Sequence, residues 1–175
     1  MREELLLDVP HRQVVLTIPK ILRLFFRYKL KLLNSLCLSV VHSFVKFLHT
    51  ITGIELMPGV IAVTQTFGDC INFHPHVHAL VTEGDTAPDG SFHCVPLFHD
   101  EVIQEIFTLE VFSMMLRKKL IGLPLMQKIL SWRHTGLSVH SKVRSTAKEE
   151  AERIGKYMIL PLLSLKRLFF DETAG

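Results

Sequence analysis

The chain has 175 residues, 48% of them apolar and 21% charged, with 20 lysines and arginines against 17 acids. That length buries a core without metal or disulfide props, and the composition excludes an intrinsically disordered chain. Three widely spaced cysteines, Cys37, Cys70 and Cys94, form neither a disulfide framework nor a CxxC zinc site, so a reducing, cytoplasmic setting is expected.

Met1–Pro10 carries Glu3, Glu4 and Asp8 where a secretory signal would need an apolar run. Val14–Ile18, β-branched and closed by Pro19, predicts a buried strand. From Lys20 to about Thr50, Leu, Phe and Val recur at helical spacing, which predicts one long helix or two joined near Asn34. Within it Leu32–Val45 is apolar, but its 14 residues include Asn34 and His42 and fall short of a membrane span. It reads as a core helix, and no membrane partner is expected. Val60–Phe67 predicts a second strand, Gly68-Asp69 and Asn72 a turn, and His74–Thr82 a third strand. Asp85–Gly90 reads as a loop turning at Pro88-Asp89-Gly90, and Ser91–Val95 as a short partner strand.

Glu101–Ile121 predicts an amphipathic helix with Val102, Ile106, Leu109, Phe112 (or Val111) and Leu116 inward, ended by Gly122 and Pro124. Leu130–His140 reads as extended. A last helix is expected from Thr146, with Glu149 completing a capping box and Pro161 ending or kinking it. This succession predicts an α+β sandwich on an antiparallel sheet, in a single domain over residues 1–175.

Charge is unevenly spread. No acid lies between Asp8 and Glu55, where Arg12, Lys20, Arg23, Arg27, Lys29, Lys31 and Lys46 all fall. Such a stretch is either a surface for a polyanion or a helix face balanced by acids folded against it.

The densest chemical signal is His74-Pro75-His76-Val77-His78. On a strand the three imidazoles share one face, where neutral rings can converge on a divalent ion. The plainer reading is a polar, solvated strand face. In a hairpin closed around Asp69–Asn72, Gln65 falls about opposite His76, either as an oxygen ligand or as a hydrogen-bonded core amide. Tyr157 follows Arg153 by one turn and adjoins Lys156. A phenol is a weak nucleophile at neutral pH, and alone this residue reads as the edge of an amphipathic helix. Neighbouring cations and a metal-polarised phosphate would activate it.

Several segments together resemble the catalytic region of the rolling-circle insertion-sequence transposases, of the HUH endonuclease superfamily. They are Pro10-His11-Arg12-Gln13-Val14-Val15-Leu16-Thr17-Ile18-Pro19-Lys20, Gln65-Thr66-Phe67-Gly68-Asp69 before His74–His78, Trp132-Arg133-His134-Thr135-Gly136 with Ser138-Val139-His140, and Tyr157 before Pro161 and Ser164-Leu165. The likeness runs over about residues 10–168. It implies an RRM-like sheet with the histidines central and the tyrosine on a facing helix. It implies His76 and His78 as metal ligands for Mg²⁺ or Mn²⁺, with Gln65 or His74 as a third. It implies Tyr157 as a nucleophile that nicks single-stranded DNA at insertion-sequence ends and targets, leaving a 5′-phosphotyrosine and a 3′-hydroxyl. Lys20, Arg23, Arg27, Lys29, Lys31, Arg133, Arg153 and Lys156 are the candidate DNA contacts.

The sequence departs from that family in two respects. Two-tyrosine members carry a second tyrosine four residues away, where this chain has Arg153 and Pro161. Members also carry a cysteine-rich zinc-binding region ahead of this domain, which is expected to be absent here. An active single-tyrosine nickase and an inactive transposase remnant that only binds nucleic acid both follow. A metal-dependent hydrolase of small molecules is a further alternative, with Asp69 or Glu83 as its carboxylate.

Overall fold

The structure, a computed structural model, describes Leu6 and residues 8–68, 72–86, 92–95 and 98–159. Four antiparallel strands make the main sheet: β1 (His11–Thr17), β2 (Val60–Phe67), β3 (Phe73–Thr82) and β6 (Ser138–Ser145). Their order is β2-β3-β1-β6, so β3 and β1 are the inner strands. A separate ribbon pairs β4 (Gly84–Thr86) with β5 (Phe92–Cys94). The helices are α1 (Lys20–Tyr28), α2 (Lys31–Thr52), α3 (Asp100–Arg117), α4 (Leu123–Leu130) and α5 (Lys148–Ile159). With α1 and α2 as one crossover, the sheet is threaded as a split β-α-β-β-α-β unit, the arrangement of an RRM-like α+β fold.

Alternation along β1 and β3 separates the two faces. Val14, Leu16, Val77, Ala79 and Val81 are buried on one of them, beneath Leu36, Val40, Phe44 and Phe47 of α2 and Ile103, Phe107 and Val111 of α3. The spacing of the α2 residues is the reason it is a core helix. It is 22 residues long and an 18-residue window of it reaches a mean hydropathy of 1.3, long and apolar enough to cross a membrane, yet this stripe is packed inside the fold. On the opposite face α5 lays Ala151, Ile154 and Met158 against Leu80, Ile61 and Val63. Gly155 is buried in this contact, facing Leu80.

Several elements differ from expectation. The helical stretch breaks at Lys29-Leu30 rather than near Asn34, because the bend turns both Phe26 and Leu32 into the core. α3 packs Val102, Ile106, Phe112 and Leu116 on the core as expected, with Ile103, Phe107 and Val111 beside them, while Leu109 is 65% exposed. Glu110 is buried as well, tied across to Lys46 and His42 of α2. α3 ends at Arg117 rather than at Gly122, and Gly122 and Pro124 open α4 instead, so Leu130 is helical and the strand starts only at Ser138. A proline in the first turn is a pre-set helix start. Asp85 belongs to β4 rather than to a loop, and α5 begins two residues after Thr146. The expected turns at Asp69 and Pro88-Asp89-Gly90, and the stop at Pro161, lie outside the described residues.

His11 opens β1 and is buried, its Nδ1–H donating to the Val9 carbonyl at 2.7 Å. Burial lowers its pKa from 6.5, against the smaller raising effects of the Val9 bond and the Glu83 charge. The unfolded chain therefore binds this proton more tightly. The contribution of His11 is complete above about pH 6.5 and is lost as pH falls from there through its folded value. Urea midpoints measured at about pH 8 and about pH 5 should converge in His11→Asn relative to wild type. An unchanged gap between them would remove His11 as the source.

Candidate active site

The pairing register builds two rows across the sheet. Gln65 of β2, His76 of β3, Thr17 of β1 and Ser138 of β6 are directly opposed in turn. The next row is Val63, His78, Val15 and His140. Directly opposed residues share a face, so both rows lie on the α5 side. The first is polar from edge to edge, and Thr17 Oγ1 meets Ser138 Oγ at 2.6 Å. Gln65 opposes His76 as the hairpin reading expects. Thr17 and Ser138 were not singled out, because only the register of three strands brings them into line.

Within these rows His76 Nε2 and His78 Nε2 approach to 3.1 Å. His76 Nδ1 lies 2.7 Å from the His74 carbonyl oxygen, which can only accept, so Nδ1 carries the proton and the Nε2 of a neutral ring is a lone-pair donor. Two nitrogens bound to one ion at ~2.0–2.1 Å, at right-angled to tetrahedral spacing, lie about 2.8–3.4 Å apart. The histidine pair fits a divalent ion by that measure. The His74 ring lies against that of His76, centroids 5.4 Å apart and planes tilted by 52°, and no group of three or more His, Cys, Asp or Glu forms a metal cage among the described residues. Beside the pair, Gln65 Nε2 donates to the Met158 carbonyl at 3.4 Å, which leaves its side-chain oxygen as an acceptor.

That same bond ties the histidine-bearing face to the last turn of α5. Tyr157 precedes Met158 there and is 66% exposed to solvent. Arg153 and Lys156 are exposed too, but lie 3.9 Å from Glu150 and 3.7 Å from Glu152. Such exposed pairs contribute little, and they make α5 a face of mixed sign.

The other basic candidates divide. Lys20, Arg27, Lys29, Lys31 and Arg133 are exposed. Arg23 is half-buried, its Nε donating to the Ile18 carbonyl at 3.2 Å, and burial lowers its pKa. Arg12 leaves the polyanion surface altogether. It binds the fully buried Glu83 through Nη2 at 2.6 Å and Nε at 2.8 Å, while Arg144 Nε holds the other carboxylate oxygen at 2.7 Å. Glu83 is therefore committed to two arginines at the far end of β3 from the histidines. A hydrolase would need that carboxylate elsewhere, and Asp69 lies outside the described residues.

The family described as "Putative transposase" (Y2_Tnp) matches residues 59–173, more than half of the chain. The chain belongs to this transposase family. A relative, the transposase for insertion sequence element IS801 of Pseudomonas savastanoi pv. phaseolicola, is 26% identical over 180 residues. That alignment takes in 92% of this chain and 42% of the relative, so the chain spans about two fifths of that transposase's length. No solved structure matches the chain. The segment matched to the transposase family contains Gln65, the three histidines of β3 and Tyr157, whereas the basic residues of α1 precede it.

Proposed function

We propose that this transposase chain nicks single-stranded DNA through Tyr157, assisted by Mg²⁺ or Mn²⁺ at His76, His78 and Gln65, as the rolling-circle, HUH-type resemblance implies. The observation that carries the reading is the 3.1 Å approach of two imidazole nitrogens on the sheet face crossed by the tyrosine-bearing helix. Such an ion would supply positive charge to the scissile phosphate. The Tyr157 oxygen attacks phosphorus as its proton leaves, the P–O3′ bond breaks, and the departing oxygen is protonated. The products are a 5′-phosphotyrosine and a free 3′-hydroxyl. Insertion-sequence ends and target strands are the substrates, met in the cytoplasm.

The test is incubation with labelled single-stranded DNA and Mn²⁺, followed by denaturing electrophoresis. A covalent adduct is expected. Its absence with every divalent metal would favour the inactive remnant, a reading that Arg153 in place of a second tyrosine also supports. Metal binding is measured separately by Mn²⁺ titration. His76→Ala and His78→Ala should each weaken Mn²⁺ by at least the roughly 10–100-fold that losing even an outer partner costs. Equal affinity in wild type and both variants would remove the site.

A further inference from the structure

A second concave feature lies beyond the end of β1. Pro19, Lys20 and Arg23 of the β1–α1 corner face Trp132, His134 and Gly136 across a groove of about 660 Å³, within the size range of small-ligand sites. Gly136 makes the approach possible. Its φ is +78°, and a Cβ there would sit 3.1 Å from Pro19 Cβ.

The groove joins two parts of the sequence that share one property. Residues 9–54 and 111–148 contain no acid, and together they hold fifteen of the chain's 20 lysines and arginines. No acid lines the groove where they meet. Trp132 is 39% exposed there, beside the flexible cation of Lys20 and the half-buried guanidinium of Arg23. An accessible aromatic surface within reach of fixed positive charge is what an unpaired base and its phosphate require.

The position is also informative. Thr17 of β1 is the direct neighbour of His76. One strand spacing and two residues of rise place Pro19 about 8 Å from His76. A strand threaded over the polar row therefore reaches the groove within a nucleotide or two.

We infer that this groove is a nucleobase site: an unpaired base of single-stranded DNA stacks on Trp132 while Lys20 and Arg23 hold the adjoining phosphates. The inference rests on DNA being the substrate proposed above, but not on cleavage.

Trp132 is the only tryptophan in the chain, so its emission reports the groove directly. Binding is read without metal, using oligothymidylate of about ten residues, an abasic oligomer of the same length, and a blunt duplex. Oligothymidylate should quench Trp132 emission, and the abasic strand and duplex should not. By fluorescence anisotropy, Trp132→Ala should lose roughly 5–150-fold in affinity for oligothymidylate, and little for the abasic strand. Lys20→Gln should flatten the dependence of log affinity on log salt by about 0.7 per lost phosphate contact. Saturating oligothymidylate that leaves Trp132 emission unchanged would overturn the site. So would equal quenching by the abasic strand, or a Trp132→Ala chain that binds as wild type does. A covalent adduct without quenching would remove the groove and leave the nickase standing. Base-dependent quenching without any adduct would do the reverse.

Discussion

Tyr157→Phe should abolish the covalent DNA adduct while leaving Mn²⁺ and single-stranded DNA affinity within about twofold of wild type. The substitution removes one hydroxyl and no charge. The side chain is 66% exposed, so neither packing nor stability depends on it. The α5 helix offers no replacement. Tyr28, the only other tyrosine, ends α1, which packs into the core on the sheet face opposite α5. His76→Ala should fail differently, keeping the nucleophile but slowing cleavage by roughly 10²–10³-fold through loss of charge stabilisation at phosphorus. Retained DNA attachment in Tyr157→Phe would overturn the assignment of the nucleophile. A Tyr157→Phe chain that also lost DNA binding would make the hydroxyl a binding contact.

Glu83→Ala should destabilise the fold by about 3–5 kcal/mol, the range for breaking a buried ion pair. The carboxylate is wholly buried and satisfied by two arginines from two different strands. Its removal leaves Arg12, whose side chain is 19% exposed, uncompensated beneath Phe98. Arg144→Ala should cost less, because that side chain is 43% exposed and recovers water. Urea denaturation of the three single variants should rank Glu83→Ala first, Arg12→Ala second and Arg144→Ala last. A Glu83→Ala chain within about 1 kcal/mol of wild type would show that the clamp contributes specificity rather than stability.

Much of this was legible without coordinates. Strand period and turn residues located β1, β2 and β3, and the hairpin around residues 68–72 fixed Gln65 against His76. What failed depended on partners remote in sequence. The burial of Glu110 on α3 is one such case, because its cations, Lys46 and His42, sit on another helix. Likewise, Arg12 looked like part of a polyanion surface until the fold placed Glu83 against it. The polar row was illegible for a simpler reason: Thr17 and Ser138 are ordinary strand residues until β6 is laid beside β1. In contrast, Gly122 and Pro124 mislead locally: α3 has already ended at Arg117, and the two residues open the next helix.

The strand order also bears on how the chain is made. β1 leads the other strands in sequence but occupies an inner position, so both its edges must wait for partners synthesised later. β3 follows about sixty residues on and β6 more than a hundred, and until then the buried residues of β1 have only α1 and α2 to cover them. During translation the exposed hydrogen-bonding edge of Val14–Thr17 is open to pairing with other chains. Folding must therefore be completed late, by β6 closing beside β1, and the slow step is expected to be that long-range docking rather than formation of either core helix.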